Sequence, residues 1–255
     1  MRPIAFFDSG IGGLSVLATA RKMLPKERFV YYGDNARAPY GARSAEEISS
    51  YTIECVLKLM DLDIKALVLA CNTATSVAVE KLRALLDIPV ISMEPAIKPA
   101  FAMRNNGRIA VMATPATLIQ PRFLKLLRTV DTAGSSLLLP CCGLVELIEK
   151  GDFYSPEIRA YIEDIFTPYQ SMPIDAVVLG CTHFVLIEDT VREVCGQYYA
   201  GVRIVHGNEG TVRHLAHVLE QRGVLHEGES EGGVTFYSSG DAKWLERLFA
   251  KINGR

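Results

Sequence analysis

No stretch of the 255-residue chain holds the roughly 20 consecutive apolar residues that a bilayer-crossing helix needs, so no membrane association is expected. The N-terminus reaches Asp8 after only four apolar residues, too few for a signal-peptide core, and the expected compartment is the cytoplasm. No charge of one sign dominates either. With 27 basic and 29 acidic residues the formal net charge is −2, which offers no basic face for nucleic acid. None of the six cysteines forms a C-x-x-C pair, which argues against a zinc ribbon or a thioredoxin-like motif and for free thiols. Cys55 and Cys195 read as small core residues on helices, and adjacent Cys141 and Cys142 show no partner in the sequence. The dinucleotide fingerprint is also incomplete. Gly10-x-Gly12 follows a strand and Asp34 follows the next one, but the third glycine position is Ser15, and Asp8 would set a carboxylate beside a pyrophosphate. His214 and His217 stand three apart on a predicted helix with no third ligand in sight, the pattern of a solvated face, so no metal is expected.

What is present is an alternation of short apolar runs with amphipathic stretches. Residues 4–7, 29–32, 66–71 and 89–93 read as strands, apolar on both faces as a parallel sheet covered by helices requires. Helical periodicity fills 14–24, 44–60 and 75–86, and Ser44 with Glu47 forms a capping box at the second. The pattern then restarts. Strands are expected at 108–115, 136–140 and 175–181, and helices at 116–129, 142–150 and 156–166. A helix at 210–222, a strand at 234–238 and a closing helix capped by Asp241 follow, with a polar loop at 226–233. On this last helix Trp244, Leu245, Leu248, Phe249 and Ile252 form an apolar stripe, read as packing on its own sheet. The expected class is α/β, with two units of similar design.

One apolar run carries an unusual ending. Ile64 to Cys71 stops in a thiol followed by Asn72-Thr73, and Ile174 to Cys181 stops in a thiol followed by Thr182-His183. Five of the eight positions in the two runs are identical, at an offset of 110 residues. Ligands of open α/β sheets bind outside the carboxyl ends of the strands, so two such sheets facing each other would bring both thiols into one cleft. Asn, Thr and His can hold the carboxylate and ammonium of a small zwitterion, and a thiol drawn toward working pH can act as acid or base. One thiolate removing a proton from carbon while a thiol opposite donates one would invert a stereocentre. The segment Asp8-Ser9-Gly10-Ile11-Gly12-Gly13 opens a helix at a point suited to an anion. The loop from Tyr31 to Gly41 is long enough to be functional. No lysine is seen in the predicted site to form the Schiff base that a pyridoxal cofactor would need. A two-lobed binding protein without catalysis is the other reading of the same pattern.

Together DSGIGG, YYGDNARAPYG, ACNTAT and LGCTHF resemble the glutamate racemase family, over nearly the whole chain. The resemblance implies a cofactor-independent enzyme that interconverts L- and D-glutamate for peptidoglycan synthesis. It implies an active site between two pseudo-symmetric α/β domains, here expected at 1–97 plus 207–255 and at 98–206, with a homodimer among the expected assemblies. Carried over by motif, Cys71 and Cys181 are the two catalytic bases, and the one at 71 is assigned to D-glutamate. Asp8 assists the first; His183 and Glu149 assist the second. The substrate-binding pairs are Asp8-Ser9, Tyr40-Gly41, Asn72-Thr73 and Thr182-His183. His183, where aspartate racemases usually carry Glu, favours glutamate. The chain departs from the family at Val185, Cys142 and Glu146, where proline is usual. Because Glu146 neighbours Glu149 on one predicted helix, the choice between those two acids stays open.

Overall fold

The structure, a computed structural model, describes residues 2–226, 228 and 232–254; half of the polar loop read at 226–233 lies outside them. The chain forms two compact units, Met1–Met93 with Asn208–Arg255, and Glu94–Gly207. Both sheets are entirely parallel. Among the described residues no helix is long and apolar enough to cross a membrane.

The first unit runs β1 (Ile4–Asp8), α1 (Leu14–Met23), β2 (Phe29–Gly33), α2 (Ala45–Met60), β3 (Ala66–Leu69), α3 (Asn72–Leu85) and β4 (Val90–Ser92). It is completed, after the second unit, by α11 (Asn208–Gln221), β9 (Val234–Ser238) and α12 (Ala242–Asn253). The strand order is β4-β3-β1-β2-β9. Strands β1, β2 and β3 are buried along their full length, which explains why they read as unbroken apolar runs rather than alternating ones. One face packs Ala5, Phe7, Val30, Leu67 and Leu69 against Ile48 and Val56 of α2 and Ala78 and Leu82 of α3. At the other end of the sheet, Phe236 of β9 meets Phe249 of α12, ring centroids 5.3 Å apart. The capping box of α2 is present in both directions, and Asp241 caps α12 through the Lys243 and Trp244 amides. A buried ion pair, Lys65 Nζ to Glu27 Oε2 at 2.7 Å, holds the chain that leaves α11. Lys65 also donates to the Val224 carbonyl, and Glu27 accepts from the His226 amide.

The second unit runs α4 (Ile97–Ala102), β5 (Arg108–Ala113), α5 (Pro115–Leu118), α6 (Pro121–Val130), β6 (Ser136–Pro140), α7 (Leu144–Glu149), α8 (Pro156–Phe166), β7 (Ile174–Leu179), α9 (Thr182–Val185), α10 (Glu188–Tyr198) and β8 (Arg203–Val205). Its strand order is β6-β5-β7-β8. Read from the other edge, β8-β7-β5-β6 reproduces β4-β3-β1-β2, so the strands preceding the two motif cysteines, β3 and β7, hold equivalent places. Beyond that match, β9 is the additional strand of the first sheet.

Several boundaries differ from the sequence expectation. The strand expected at 66–71 ends at Leu69, and the helix expected from 75 begins at Asn72, so Cys71 caps a helix rather than closing a strand. The strand expected at 108–115 ends at Ala113, because the Thr114 side chain takes the amide of Thr117 and caps α5. The single helix expected at 116–129 is two. Pro121 has no N–H to continue the first, and its ring starts the second at the first helical position.

Candidate active site

In the first unit the carboxyl end of β1 turns into α1 through Ser9–Gly13. Asp8 is fully buried, and its Oδ1 accepts the Gly10 amide at 2.9 Å, an aspartate-stabilised turn. Tyr31 Oη donates to the Gly10 carbonyl at 2.7 Å and Ser15 Oγ to that of Gly12 at 2.8 Å. The N-cap of α1 is Gly13, with no side-chain cap, so Asp8 and Ser9 do not serve that helix as caps. Gly13 is required sterically: a Cβ there would lie 2.7 Å from Asp8 Cβ, 3.0 Å from Tyr31 Oη and 3.1 Å from Ala70 Cβ. Gly13→Ala is expected to cost about 1–3 kcal/mol, the usual range for overpacking, and to displace Asp8. Urea denaturation at constant slope would show the loss, and an unchanged midpoint would refute it.

Two residues beyond β3, Cys71 has its sulfur nearly buried and held by two contacts. The Ala74 amide donates to Sγ at 3.4 Å, and Ser9 Oγ lies 3.4 Å from the same atom. As N-cap of the fourteen-residue α3 the thiol also sits at the positive end of a helix dipole. Asn72 and Thr73 form the first turn of α3 and are buried, and Asn72 Oδ1 has no hydrogen-bond partner among the described residues. Tyr40 and Gly41 lie in a single 3-10 turn, Tyr40–Ala42, between β2 and α2. The Tyr40 ring packs on Phe7 and Tyr51, and its hydroxyl donates to Asp34 Oδ2 at 2.5 Å. Asp34 is therefore buried and engaged by side chains of its own loop, which removes the ribose-binding part of the dinucleotide reading.

In the second unit Cys181 follows β7 and precedes the one-turn helix α9. Its Sγ lies 3.7 Å from His183 Nδ1, and His183 Nε2 lies 2.5 Å from Glu149 Oε1. The three form a chain of thiol, imidazole and carboxylate. Burial of His183 opposes its charged form, but the contacts with Cys181 and Glu149 outweigh that and raise its pKa well above 6.5. Glu146 points elsewhere: it is exposed, while Glu149 ends α7 with 17% of its side chain accessible. The helix period carried this distinction, since Leu144, Val145 and Ile148 are the buried face and only Glu149 borders it. Thr182 is buried beside the thiol. Val185 does not open the turn, because the Leu186 and Ile187 amides still donate to the His183 and Phe184 carbonyls at 3.0 and 3.2 Å.

The remaining cysteines have other surroundings. Cys141 donates to the Leu139 carbonyl at 3.4 Å, and burial pushes its thiol far up, as it pushes Cys55 and Cys195 to about 12. Cys142 is exposed. His214 and His217 lie on the exposed side of α11.

Two parallel-sheet units thus carry a polar-flanked thiol just past equivalent strands. The family model described as Asp/Glu/hydantoin racemase matches residues 14–215, and the chain belongs to this family as an amino-acid racemase. Among similar proteins are the glutamate racemase of Clostridium botulinum (strain Okra / Type B1), 45% identical over 98% of this chain and 96% of its own, and that of Clostridium perfringens (strain ATCC 13124), 40% identical over 98% and 95%. Two solved structures, each with a TM-score of 0.87 and covering 100% of this chain, are glutamate racemases. RacE1 of Bacillus anthracis is 31% identical, with 94% of its chain covered. The Escherichia coli protein, in complex with L-glutamate and activator UDP-MurNAc-ala, is 30% identical, with 95% covered.

Proposed function

We propose that the protein interconverts L- and D-glutamate without a cofactor, by proton transfer at Cα between Cys71 and Cys181, and so supplies D-glutamate for peptidoglycan synthesis. The observation that carries this reading is the surroundings of the two thiols. A helix amide and the Ser9 hydroxyl meet Cys71, and the His183 imidazole, itself backed by Glu149, meets Cys181. The names of the relatives and the glutamate bound in the Escherichia coli structure support the substrate.

One cysteine, as thiolate, takes the α-proton: the Cα–H bond breaks, an S–H bond forms, and the electron pair is left on Cα and delocalised into the carboxylate. The other cysteine, as thiol, gives its proton to the opposite face of Cα. Nothing is oxidised or reduced, and the two sulfurs have exchanged protonation states, ready for the other enantiomer. Cys71 acts on D-glutamate and Cys181 on L-glutamate. Asp8 serves the first thiol, while the His183–Glu149 pair serves the second by accepting or returning its proton.

The two thiols are supported differently. At Cys71 the N-terminus of a fourteen-residue helix and the Ser9 hydroxyl face the sulfur. At Cys181 the following helix, α9, is four residues long and its dipole is small. The raised pKa of His183 supplies a local positive charge instead. Around the substrate, the orphaned Asn72 Oδ1 is an acceptor for the ammonium group. Ser9, Thr73 and Thr182 with the Tyr40-Gly41 backbone hold the carboxylates.

The test is incubation of purified, cofactor-free protein with each glutamate enantiomer in D2O. Proton NMR follows loss of the α-hydrogen, and chiral analysis follows the opposite enantiomer. Exchange with inversion from both sides is expected. Absence of exchange with either enantiomer would overturn glutamate as substrate and direct the search to aspartate.

A further inference from the structure

Between β2 and α2 the chain folds back on a single carboxylate. Asp34 is fully buried, and its Oδ2 accepts from Tyr40 Oη at 2.5 Å and from Arg37 Nε at 2.8 Å. Its own amide donates to the Asp8 carbonyl at 3.0 Å. Arg37 is fixed in turn from α2: Nη1 donates to Glu54 Oε2 at 2.7 Å and Nη2 to Cys55 Sγ at 3.1 Å, and the guanidinium lies 4.4 Å from the centre of the Tyr51 ring. Asp34 thus meets the end of β1 through its amide, and through its carboxylate it joins the 3-10 turn at Tyr40-Gly41 and, by way of Arg37, helix α2.

We infer that Asp34 is a positioning residue for racemisation, setting the place of the Tyr40-Gly41 backbone relative to Asp8 and through it the pose of the substrate. This rests on the proposed contact of Tyr40-Gly41 with glutamate. The physical reason is the cost of burial. A buried carboxylate is costly unless a cation and hydrogen-bond donors meet it. Here both come from the loop it organises, at sequence separations of three and six. Releasing the loop would strand Asp34 and the Tyr40 hydroxyl, so the carboxylate, the guanidinium and the phenol hold one conformation together. Asp34 reaches the reacting atoms only through residues it fixes. It also explains why the Tyr40 side chain itself is not a substrate ligand: its hydroxyl is occupied, and what the turn presents is backbone.

The test compares Asp34→Ala, Asp34→Asn, Tyr40→Phe and the double variant Asp34→Ala/Tyr40→Phe with wild type, in steady-state racemisation and in hydrogen exchange. Asp34→Ala is expected to raise KM for glutamate about tenfold or more while kcat stays within about threefold. Asp34→Asn, whose amide oxygen still accepts from the Tyr40 hydroxyl, recovers part of that loss. In the double variant the KM effects do not add, because both changes break one bond. Exchange at the Tyr40 and Gly41 amides quickens in Asp34→Ala while β1 stays protected, a readout that needs no substrate. A fall in kcat at constant KM, additive KM effects or unchanged exchange at the turn would each overturn the inference. If wild type fails to turn over glutamate, the substrate reading falls, and the exchange data alone decide whether Asp34 locks the turn. Tyr40→Phe keeps the packed ring and serves as the folded control should Asp34→Ala unfold.

Discussion

Replacing either Cys71 or Cys181 by serine is expected to lower racemisation by about 10³-fold or more, within the range for losing a general acid or base. The reason is acidity and not shape. A serine hydroxyl fits the space of a thiol but does not ionise near neutrality, so it can neither take a proton from carbon nor return one at a useful rate. Stability should hardly change. Cys71 is the N-cap of α3, a position serine favours, and the Ala74 amide keeps an acceptor. The single variants also carry finer information. Any α-proton exchange that survives in D2O should be confined to one enantiomer, L-glutamate for Cys71→Ser and D-glutamate for Cys181→Ser. A single variant that racemises at more than a tenth of the wild-type rate would sink the two-thiol scheme.

Loss of His183 is the next largest effect. His183→Asn should lower kcat/KM by about 10²-fold, Glu149→Gln by about tenfold, and Glu146→Gln by less than twofold, because only Glu149 touches the imidazole. The fall in kcat/KM must be the same in both directions, since the two enantiomers have equal free energy in solution. Asymmetry therefore has to be sought elsewhere. With glutamate deuterated at Cα, the primary isotope effect should grow for the L-enantiomer, whose proton goes to Cys181 in the proposed scheme, and shrink for the D-enantiomer. Equal isotope effects in both directions would separate His183 from Cys181. The same residue sets a pH dependence of stability. A histidine whose pKa is raised by folding stabilises the protein fully below its unfolded value, near 6.5, and loses that contribution as pH rises through the higher folded value. The stability gap between wild type and His183→Asn should thus narrow on going alkaline, as thermal unfolding across that range would show.

The parts of this architecture visible in the sequence are those set by burial. Runs such as Ala66–Leu69 and residues 176–179 are apolar on both faces because helices cover both, and they were recognisable for that reason, as was the repeated cysteine after each. Boundaries set by hydrogen bonds were less visible. A strand reading that ran on to Cys71 missed that its sulfur accepts a helix amide, a contact periodicity does not report. Strand β8 is three residues long and α9 four, too short for either period to register. Contacts between distant positions left no trace in periodicity, and only the family resemblance grouped such residues. Ser9 meets Cys71 across 62 residues, and Glu149 meets His183 across 34. The Asp34–Tyr40 bond, though local, depends on how an irregular loop closes and leaves no periodic trace.

The added strand of the first sheet gives the chain a schedule. β9 pairs with β2 in register from Phe29↔Val234 to Gly33↔Ser238, yet it is encoded after the whole of the second unit. A ribosome delivers Glu94–Gly207 as one uninterrupted segment that can fold as it emerges. The earlier segment must wait, with the outer edge of β2 unpaired and α1 lacking the α11 and α12 that later pack on it. The sheet begun first is thus the last whose strands are all synthesised, and the unit that carries Cys181 is complete in sequence before the unit that carries Cys71.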